Sequence, residues 1–268
     1  MDKEKYNAAV IEKEVLQPGI VSLTLDVGNV ISKAVPGQFI DLYSKDKSRM
    51  LPRPISICDA DAEAGTMRIV FRIAGAGTEE FSKLEAGDKV EIVGPLGGGY
   101  KTDISAGAPA EKVHLLLGGG IGIPPMLFLA KTLFLAGVPK ENIKAVLGYR
   151  DKDTFLVNDF EKYATVYITS DDGSAGIKGN VIDGLKAYDI TGDMIYACGP
   201  TPMLKGVSGY SFEKKIKAQL SLEERMACGV GACLACVTGC RNVDDHSKVK
   251  NKRICKDGPV FDAEEVEL

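Results

Sequence analysis

Along the first hundred residues, apolar and polar positions alternate with a period of two. In "VSLTLDV", Val21, Leu23, Leu25 and Val27 interleave with Ser22, Thr24 and Asp26. "MRIVFRI" sets Met67, Ile69, Phe71 and Ile73 on one face and Arg68, Val70 and Arg72 on the other, and "KVEIV" (89–93) repeats the rhythm. Such alternation buries one face of a strand, and the Gly and Pro residues between runs turn the chain back. An antiparallel barrel or sandwich is expected over residues 1–102.

From about residue 110 the pattern changes. "KVHLLL" (112–117) is continuously apolar and leads through a glycine turn into a helix that opens at Pro124-Pro125 and closes near Gly137. "KAVLGY" (144–149), "TVYIT" (165–169) and "DMIYAC" (193–198) are further strands separated by helical stretches. That order is the βαβ pattern of a doubly wound parallel sheet, expected over 103–220, with "TDISAGAPAEK" (102–112) as the link. Residues 113–138 are long enough to cross a membrane, but three consecutive glycines and a Pro-Pro pair in the middle favour strand, turn and helix. The remainder, 221–268, is too short for a core of its own, and a metal is expected to hold it.

Composition narrows the class. With 268 residues, 45% hydrophobic and 26% charged, the chain can build two compact domains and an appendage. A net charge of −4 argues against nucleic acid or an anionic membrane as partner. The charged start "MDKEKYNAAV" has no apolar signal region, so a cytoplasmic location is expected.

Four of the seven cysteines crowd into residues 228–240, which in a reducing compartment favours metal over disulfides. Cys228, Cys233 and Cys236 are spaced C-x4-C-x2-C, and Cys255 follows after eighteen residues. This is the plant-type ligand run of a [2Fe–2S] cluster, and the small residues of "GVGA" let the backbone wrap closely and turn N–H groups toward the sulfurs. Zinc is the main rival, although structural zinc sites more often use two short knuckles; inert or bridged thiols are the third reading. Cys240 competes for the fourth position, and the turn Asp257-Gly258-Pro259 favours Cys255.

Gly118, Gly119, Gly120 and Gly122 lie between a buried strand and a helix N-terminus, where a pyrophosphate can approach the backbone. The strict dinucleotide fingerprint would place glycine at 123, which is isoleucine, and the same glycines would also serve simply to pack helix on sheet. "ACGPTPM" (197–203) follows the last strand of the pattern, at the edge where open sheets bind ligands. There Cys198 and Gly199, with Pro200 after them, offer a flat surface to a nicotinamide; a buried small residue is the plainer reading of Cys198. In "GYRDKD", Arg150 and Lys152 suit a ribose phosphate and Asp151 a free hydroxyl, so NADH against NADPH stays open.

A cluster passes single electrons and a nicotinamide exchanges a hydride, so a chain with both needs a flavin between them. In "RPISIC", Arg53 suits a phosphate and Ser56 a hydrogen bond to the isoalloxazine. In "VFRIAGAGTEEF", Gly75 and Gly77 leave N–H groups open and Thr78 caps a short helix, unless this is an ordinary hairpin with a capped helix.

The motifs "RPIS", "AGAGT", "GPLGGGY", "GGGIGIPP", "SDDGSAGIKG", "CGPTPM" and "RMACGVGACLAC…CKDGPVF" occur in that order over nearly the whole chain. Together they resemble the ferredoxin-reductase-like electron-transfer subunits of bacterial dihydroorotate dehydrogenase B. The resemblance implies a multidomain chain: an FAD-binding antiparallel β-barrel, a doubly wound parallel NAD-binding α/β domain and a small C-terminal [2Fe–2S] domain. It implies FAD held by Arg53, Pro54, Ile55, Ser56, Val70, Phe71, Arg72, Gly77 and Thr78, and a cluster on Cys228, Cys233, Cys236 and Cys255. It also implies an FMN-containing catalytic subunit as partner, in a heterotetramer with two copies of each. Electrons from dihydroorotate would then reach NAD⁺ in pyrimidine (UMP) biosynthesis. The stretch "VTGCRN" after Cys236 departs from the expected pattern.

The chain is too short to add an FMN-bearing (β/α)₈ barrel of about 250 residues, and His114 and His246 form no acid–base constellation, so no residue is expected to oxidise dihydroorotate. Two alternatives stand beside this reading. One is a same-fold NAD(P)H-linked subunit of a hydrogenase, sulfide dehydrogenase or ferredoxin:NADP oxidoreductase. The other is a zinc-stabilised regulatory module that binds a nucleotide.

Overall fold

The computed structural model describes residues 5–102, 111–241, 243 and 248–268. Most of the linker segment (103–110) and His246 lie outside the described residues.

Six strands close into an antiparallel barrel: β1 (Lys5–Gln17), β2 (Ile20–Asp26), β3 (Phe39–Tyr43), β4 (Arg53–Asp61), β5 (Thr66–Arg72) and β6 (Lys89–Leu96). Their order around the barrel is β1-β2-β5-β4-β3-β6, and helix α1 (Ala76–Phe81) connects β5 to β6. The alternating residues meet inside, where Leu23, Leu25, Met67 and Ile69 are wholly buried. The outer face is less polar than the alternation implies. Val70 is only 3% exposed and Ile73 falls beyond the strand, 38% exposed. Val70 and Cys58 belong to a second core with Met126 and Leu127, because a helix of the next domain covers this side of the barrel.

That domain is built from β7 (His114–Gly119), α2 (Ile123–Leu135), β8 (Ile143–Tyr149), α3 (Val157–Phe160), β9 (Thr165–Ser170), β10 (Ile177–Lys178), α4 (Val181–Ala187), β11 (Met194–Cys198), α5 (Thr201–Lys214) and β12 (Lys217–Ser221). The strands run parallel in the order β10-β9-β8-β7-β11-β12. Residues 113–138 form strand, turn and helix, and among the described residues no helix is long and apolar enough to cross a membrane.

The tail contributes a short hairpin, β13 (Val237–Gly239) with β14 (Asn251–Arg253), a single turn α6 (Ile254–Asp257), and β15 (Val260–Asp262). β15 pairs antiparallel with β12 and so becomes the seventh strand of the sheet. Cys236, Ile254, Cys255 and Phe261 therefore share one core with Leu117, Ala197 and Leu220. The tail has no core of its own, and beside the metal its sequence implies, burial in the core of the neighbouring sheet holds it.

Polar bonds fix barrel and sheet to each other. Lys131 Nζ on α2 meets Asp59 at 2.8 Å, and Arg68 on β5 donates to Asp159 on α3 at 2.9 Å. The Gln219 side chain accepts from Lys101 N–H and donates to its carbonyl. His114 is buried and stacks on Tyr196, with ring centres 5.9 Å apart.

Candidate functional site

The carboxyl ends of β7, β8, β11 and β12 face β3, β4 and β5 of the barrel across a cleft of ≈ 1290 Å³. From the barrel it is lined by Arg53, Pro54, Ile55, Ser56, Val70, Phe71, Arg72 and Thr78. Helix α1 opens onto it. Thr78 lies inside this helix rather than ahead of it, and its hydroxyl reaches back to accept from the N–H groups of Ala74 and Gly75. The Gly75 N–H is therefore engaged, not open as the sequence suggests. Gly77 does not line the cleft. It lies beneath Arg53, whose Nε would stand 2.5 Å from any Cβ added there. Glycine at 77 thus seats the Arg53 guanidinium over the N-terminus of α1, and the two together make a positive ledge.

The loop before β4 is tied to α1 through one carboxylate. Glu80 accepts from Lys45 N–H at 2.7 Å, from Arg49 Nη1 at 2.6 Å and from the Ser44 hydroxyl. Burial would raise the Glu80 carboxyl, but these donors hold it below the usual range.

Across the cleft, Gly119, Gly120, Gly122, Cys198, Gly199 and Pro200 line the wall. Gly118 does not: it is buried in β7 between Leu147 and Cys198, where a Cβ would press on Ile123 at 3.1 Å. Gly122 lies against the backbone of Cys198 and Gly199, so close that a Cβ would come 2.6 Å from Gly199 N. These glycines bring two loops into contact and leave backbone facing the cleft. Cys198 is half-buried; burial pushes its thiol up to about 12, and a hydrogen bond with Ser221 pulls the other way.

Several lining residues have only indirect signals in the sequence. Arg150 and Asp171 line the far end, at the carboxyl ends of β8 and β9, whereas Asp151 and Lys152 do not line the cleft. Ser221 through Met226 complete the wall after β12. Locating "QLS" as a strand would have placed them, because ligand sites gather at the carboxyl edge of such sheets.

The cysteine loop sits behind the barrel wall of this cleft. The Cys228 thiol is influenced by its neighbour Cys233, and the Cys255 thiol by its neighbour Cys236. Ala232 N–H donates to Cys228 Sγ at 3.2 Å, and Cys255 N–H lies 3.4 Å from Cys236 Sγ. Val230 and Cys233 N–H groups also point at Cys228, and Gly231 N–H at Cys255. Burial would raise the Cys228 thiol, but these donors bring it well below its ordinary value. Burial and the neighbouring Cys236 push Cys255 up.

Four sulfurs in two pairs, ringed by amides, match a binuclear centre in which each iron takes two thiolates. Among the described residues no group of three or more His, Cys, Asp or Glu side chains is drawn together as a metal site, the four thiols included. Cys240 lies past the far end of β13, its N–H on the Lys250 carbonyl. The three residues of β13 separate it from Cys236, four steps on the order of 13 Å.

The loop reaches the barrel through Gly229, at φ +63, packed on Asp41 of β3 with no room for a Cβ. Asp41 is wholly buried and its carboxylate oxygens have no hydrogen-bond partner. Burial, with the Cys228 charge adding to it, raises the carboxyl to about 6. In register, Asp41 pairs with Pro54 and Phe39 with Ser56. Phe39 itself lines the cleft and shares the core of Cys236 and Cys255. The thiol loop and the cleft therefore lie on neighbouring strands, roughly 5 Å apart in the sheet.

Known proteins were compared with this arrangement. Residues 7–100 match the model of the oxidoreductase FAD-binding domain, and residues 223–267 match the iron–sulfur cluster binding domain of dihydroorotate dehydrogenase B. The chain is 43% identical over 265 residues to the dihydroorotate dehydrogenase B (NAD(+)) electron transfer subunit of Streptococcus mutans, covering 98% of each chain. The subunit of the same name from Listeria monocytogenes is 43% identical, covering 97% of each. Among solved structures, an NADH-dependent reduced ferredoxin-NADP oxidoreductase superposes with a TM-score of 0.83 at 31% identity, covering 97% of this chain and 89% of that one. A flavohemoglobin from Malassezia yamatoensis shares the fold alone, at a TM-score of 0.64 and 18% identity over 79% of this chain and 57% of that one. With a barrel that matches an FAD-binding domain, paired thiols behind it and close relatives along its whole length, the chain belongs to the family of dihydroorotate dehydrogenase B electron transfer subunits.

Proposed function

We propose that the chain carries reducing equivalents from a docked dihydroorotate-oxidising subunit to NAD⁺, through a [2Fe–2S] centre on Cys228, Cys233, Cys236 and Cys255 and an FAD in the cleft. The observation that carries this reading is the back-to-back placement of thiol loop and cleft across β3. Bound flavin supplies the exchange between paired and single electrons.

The chain's own residues account for the rest. Arg53, seated by Gly77, and the N-terminus of α1 hold the FAD pyrophosphate, with the Glu80-bound loop closing over it. Pro54, Ile55 and Ser56 line the isoalloxazine, and Val70, Phe71, Arg72 and Thr78 complete its bed. Gly119, Gly120 and Gly122 admit the dinucleotide pyrophosphate, with Gly118 packing the turn behind them. Cys198, Gly199 and Pro200 face the nicotinamide. Asp171 suits free ribose hydroxyls and Arg150 a ribose phosphate, and the NAD(+) in the relatives' names favours NAD⁺ as the acceptor.

The partner is an FMN-bearing catalytic subunit, two copies of each forming a heterotetramer in the cytoplasm, and the reaction serves pyrimidine biosynthesis. The 1–102, 103–220 and 221–268 segments divide the work as barrel, nucleotide domain and cluster tail. The 31% identity to the ferredoxin-NADP oxidoreductase favours a second reading, with the same cofactors and a different donor.

The test is a visible spectrum of the purified chain with iron, zinc and flavin quantified, then NADH oxidation with a one-electron dye. Dihydroorotate should reduce NAD⁺ only after the catalytic subunit is added. Zinc without iron, absence of flavin, or dihydroorotate oxidation by the chain alone would overturn the proposal. Reduction by ferredoxin but not by the catalytic subunit would favour the second reading.

A further inference from the structure

The motif "GPLGGGY" ends in a tyrosine that the reading above does not use. Tyr100 follows β6, where the chain leaves the barrel for the nucleotide domain, and it is only 6% exposed. Its backbone stays with the barrel, the N–H donating to the Pro36 carbonyl at 2.8 Å. Its side chain crosses to the sheet. The ring packs edge-on against Tyr196 of β11, with centres 5.5 Å apart, and the hydroxyl donates to the Ala197 carbonyl at 3.0 Å. The next residue grips the next strand. Lys101 N–H donates to Gln219 Oε1 at 2.9 Å, and Gln219 Nε2 donates to the Lys101 carbonyl at 3.1 Å. In register, Gln219 of β12 stands beside Tyr196.

Three bonds thus tie two consecutive residues at the barrel's exit to adjacent strands of the sheet. Ala197 immediately precedes Cys198, Gly199 and Pro200, and Gln219 lies two residues before Ser221; all four of these followers line the cleft. The ion pairs Lys131–Asp59 and Arg68–Asp159 also join the domains, but through α2 and α3, and none of their four residues lines the cleft. The two walls of the cleft belong to different domains, so their spacing is set where the domains touch. We propose that Tyr100 and Gln219 are positioning residues that hold the carboxyl ends of β11 and β12 in register with the barrel, and so fix the gap that hydride crosses between NADH and flavin. The transfer itself, which leaves NAD⁺ and reduced flavin, is that of the proposed function, and the inference rests on that placement of the two groups on opposite walls. A misplacement of an ångström at such a gap costs about a hundredfold in rate.

The test uses holoprotein. Stopped flow follows flavin reduction over a range of NADH concentrations, and the long-wavelength charge-transfer absorbance of reduced holoprotein with NAD⁺ reads the stacking of the two rings. Tyr100→Phe keeps the ring and removes only the hydroxyl; Gln219→Leu keeps the volume and removes both amide bonds. Tyr100→Phe should lower the saturating rate by about fivefold, the equivalent of one net hydrogen bond, and weaken the charge-transfer band, with half-saturating NADH little changed. Gln219→Leu should act in the same direction. Lys131→Met breaks a link away from the cleft and should leave rate and band unmoved. A merely structural role for Tyr100 would lower Tm without moving the band. An unmoved rate or band in Tyr100→Phe, or an equal loss in Lys131→Met, overturns the proposal. Failure of NADH to reduce the flavin of wild-type holoprotein would instead overturn the nucleotide placement beneath it, so the two failures are read apart.

Discussion

Replacing Gly122 with alanine is the sharpest probe of the wall between the two nucleotide-facing loops. The backbone of Gly122 has φ −81, which alanine adopts freely, so any cost is steric. The added Cβ would stand 2.6 Å from Gly199 N, and closer still to the Cys198 carbonyl, where ordinary contact begins at 3.4 Å. These neighbours are backbone, so no side-chain rotation relieves the overlap, and the 120–123 turn must withdraw from the end of β11 by nearly an ångström. Overpacking of this kind costs about 1–3 kcal/mol. For a chain of this length a loss of about 2 kcal/mol lowers Tm by roughly 4–8 °C. Both loops line the cleft where NAD⁺ is proposed to bind, so NADH should reduce the flavin at least tenfold more slowly while dye reduction of the cluster is spared. Gly209→Ala is the control. That glycine is exposed inside α5 with nothing near its Cβ position, and alanine there should stabilise by about 0.5–1 kcal/mol. Melting curves and stopped-flow flavin reduction on the two variants decide the matter. If Gly122→Ala melts and reacts like wild type, the close approach of the loops does not shape the site.

Three further outcomes are expected. Cys255→Ser should lose the bound iron and its visible absorbance, whereas Cys240→Ser should keep both, because Cys255 is paired with Cys236 and Cys240 lies past the other end of the hairpin; iron analysis per chain checks this. Glu80→Gln should raise the FAD dissociation constant by about tenfold by weakening charge-assisted bonds to Arg49, Ser44 and Lys45, measured by titrating flavin into stripped protein. At Asp159 burial opposes ionisation, but hydrogen bonds from Lys162 and Arg68 win and hold the carboxyl below its ordinary value. A depressed carboxylate stabilises the folded state above the unfolded pKa of roughly 4, and this is lost as pH falls through the folded value. The melting advantage of wild type over Asp159→Asn should therefore be full at pH 7 and vanish in the acid range; an advantage independent of pH would refute it.

The two folding regimes were legible because each has a period. Alternation at 21–27 and 67–73 marked barrel strands, and the unbroken apolar runs at 112–117 and 144–149 marked a sheet covered on both faces. The cysteine spacing was equally plain, since three ligands of one loop must lie close in sequence. Less legible were residues whose role comes from a neighbour far along the chain. Val70 is on the polar side of its strand by alternation, yet α2 buries it. Gly77 suggests an open amide, yet it makes room for Arg53, twenty-four residues away. Gly97 and Gly98 of "GPLGGGY" admit the tail: Gly98 N–H meets the Gly258 carbonyl at 2.6 Å.

By itself, then, the order of residues determined which segments become strands, which become helices, and which thiols gather on one loop. Those outcomes depend on local conformational preference and on short-range periodicity, both of which are written along the chain. Only the tertiary structure decided that the thiol loop backs onto the cleft side of the barrel across β3, that β15 enters the parallel sheet from the tail, and that Tyr100 reaches the Ala197 carbonyl on β11. Each of these is a contact between segments far apart in sequence. Their partners are selected by shape and by the need to satisfy buried polar groups, and neither quantity exists until the chain has folded.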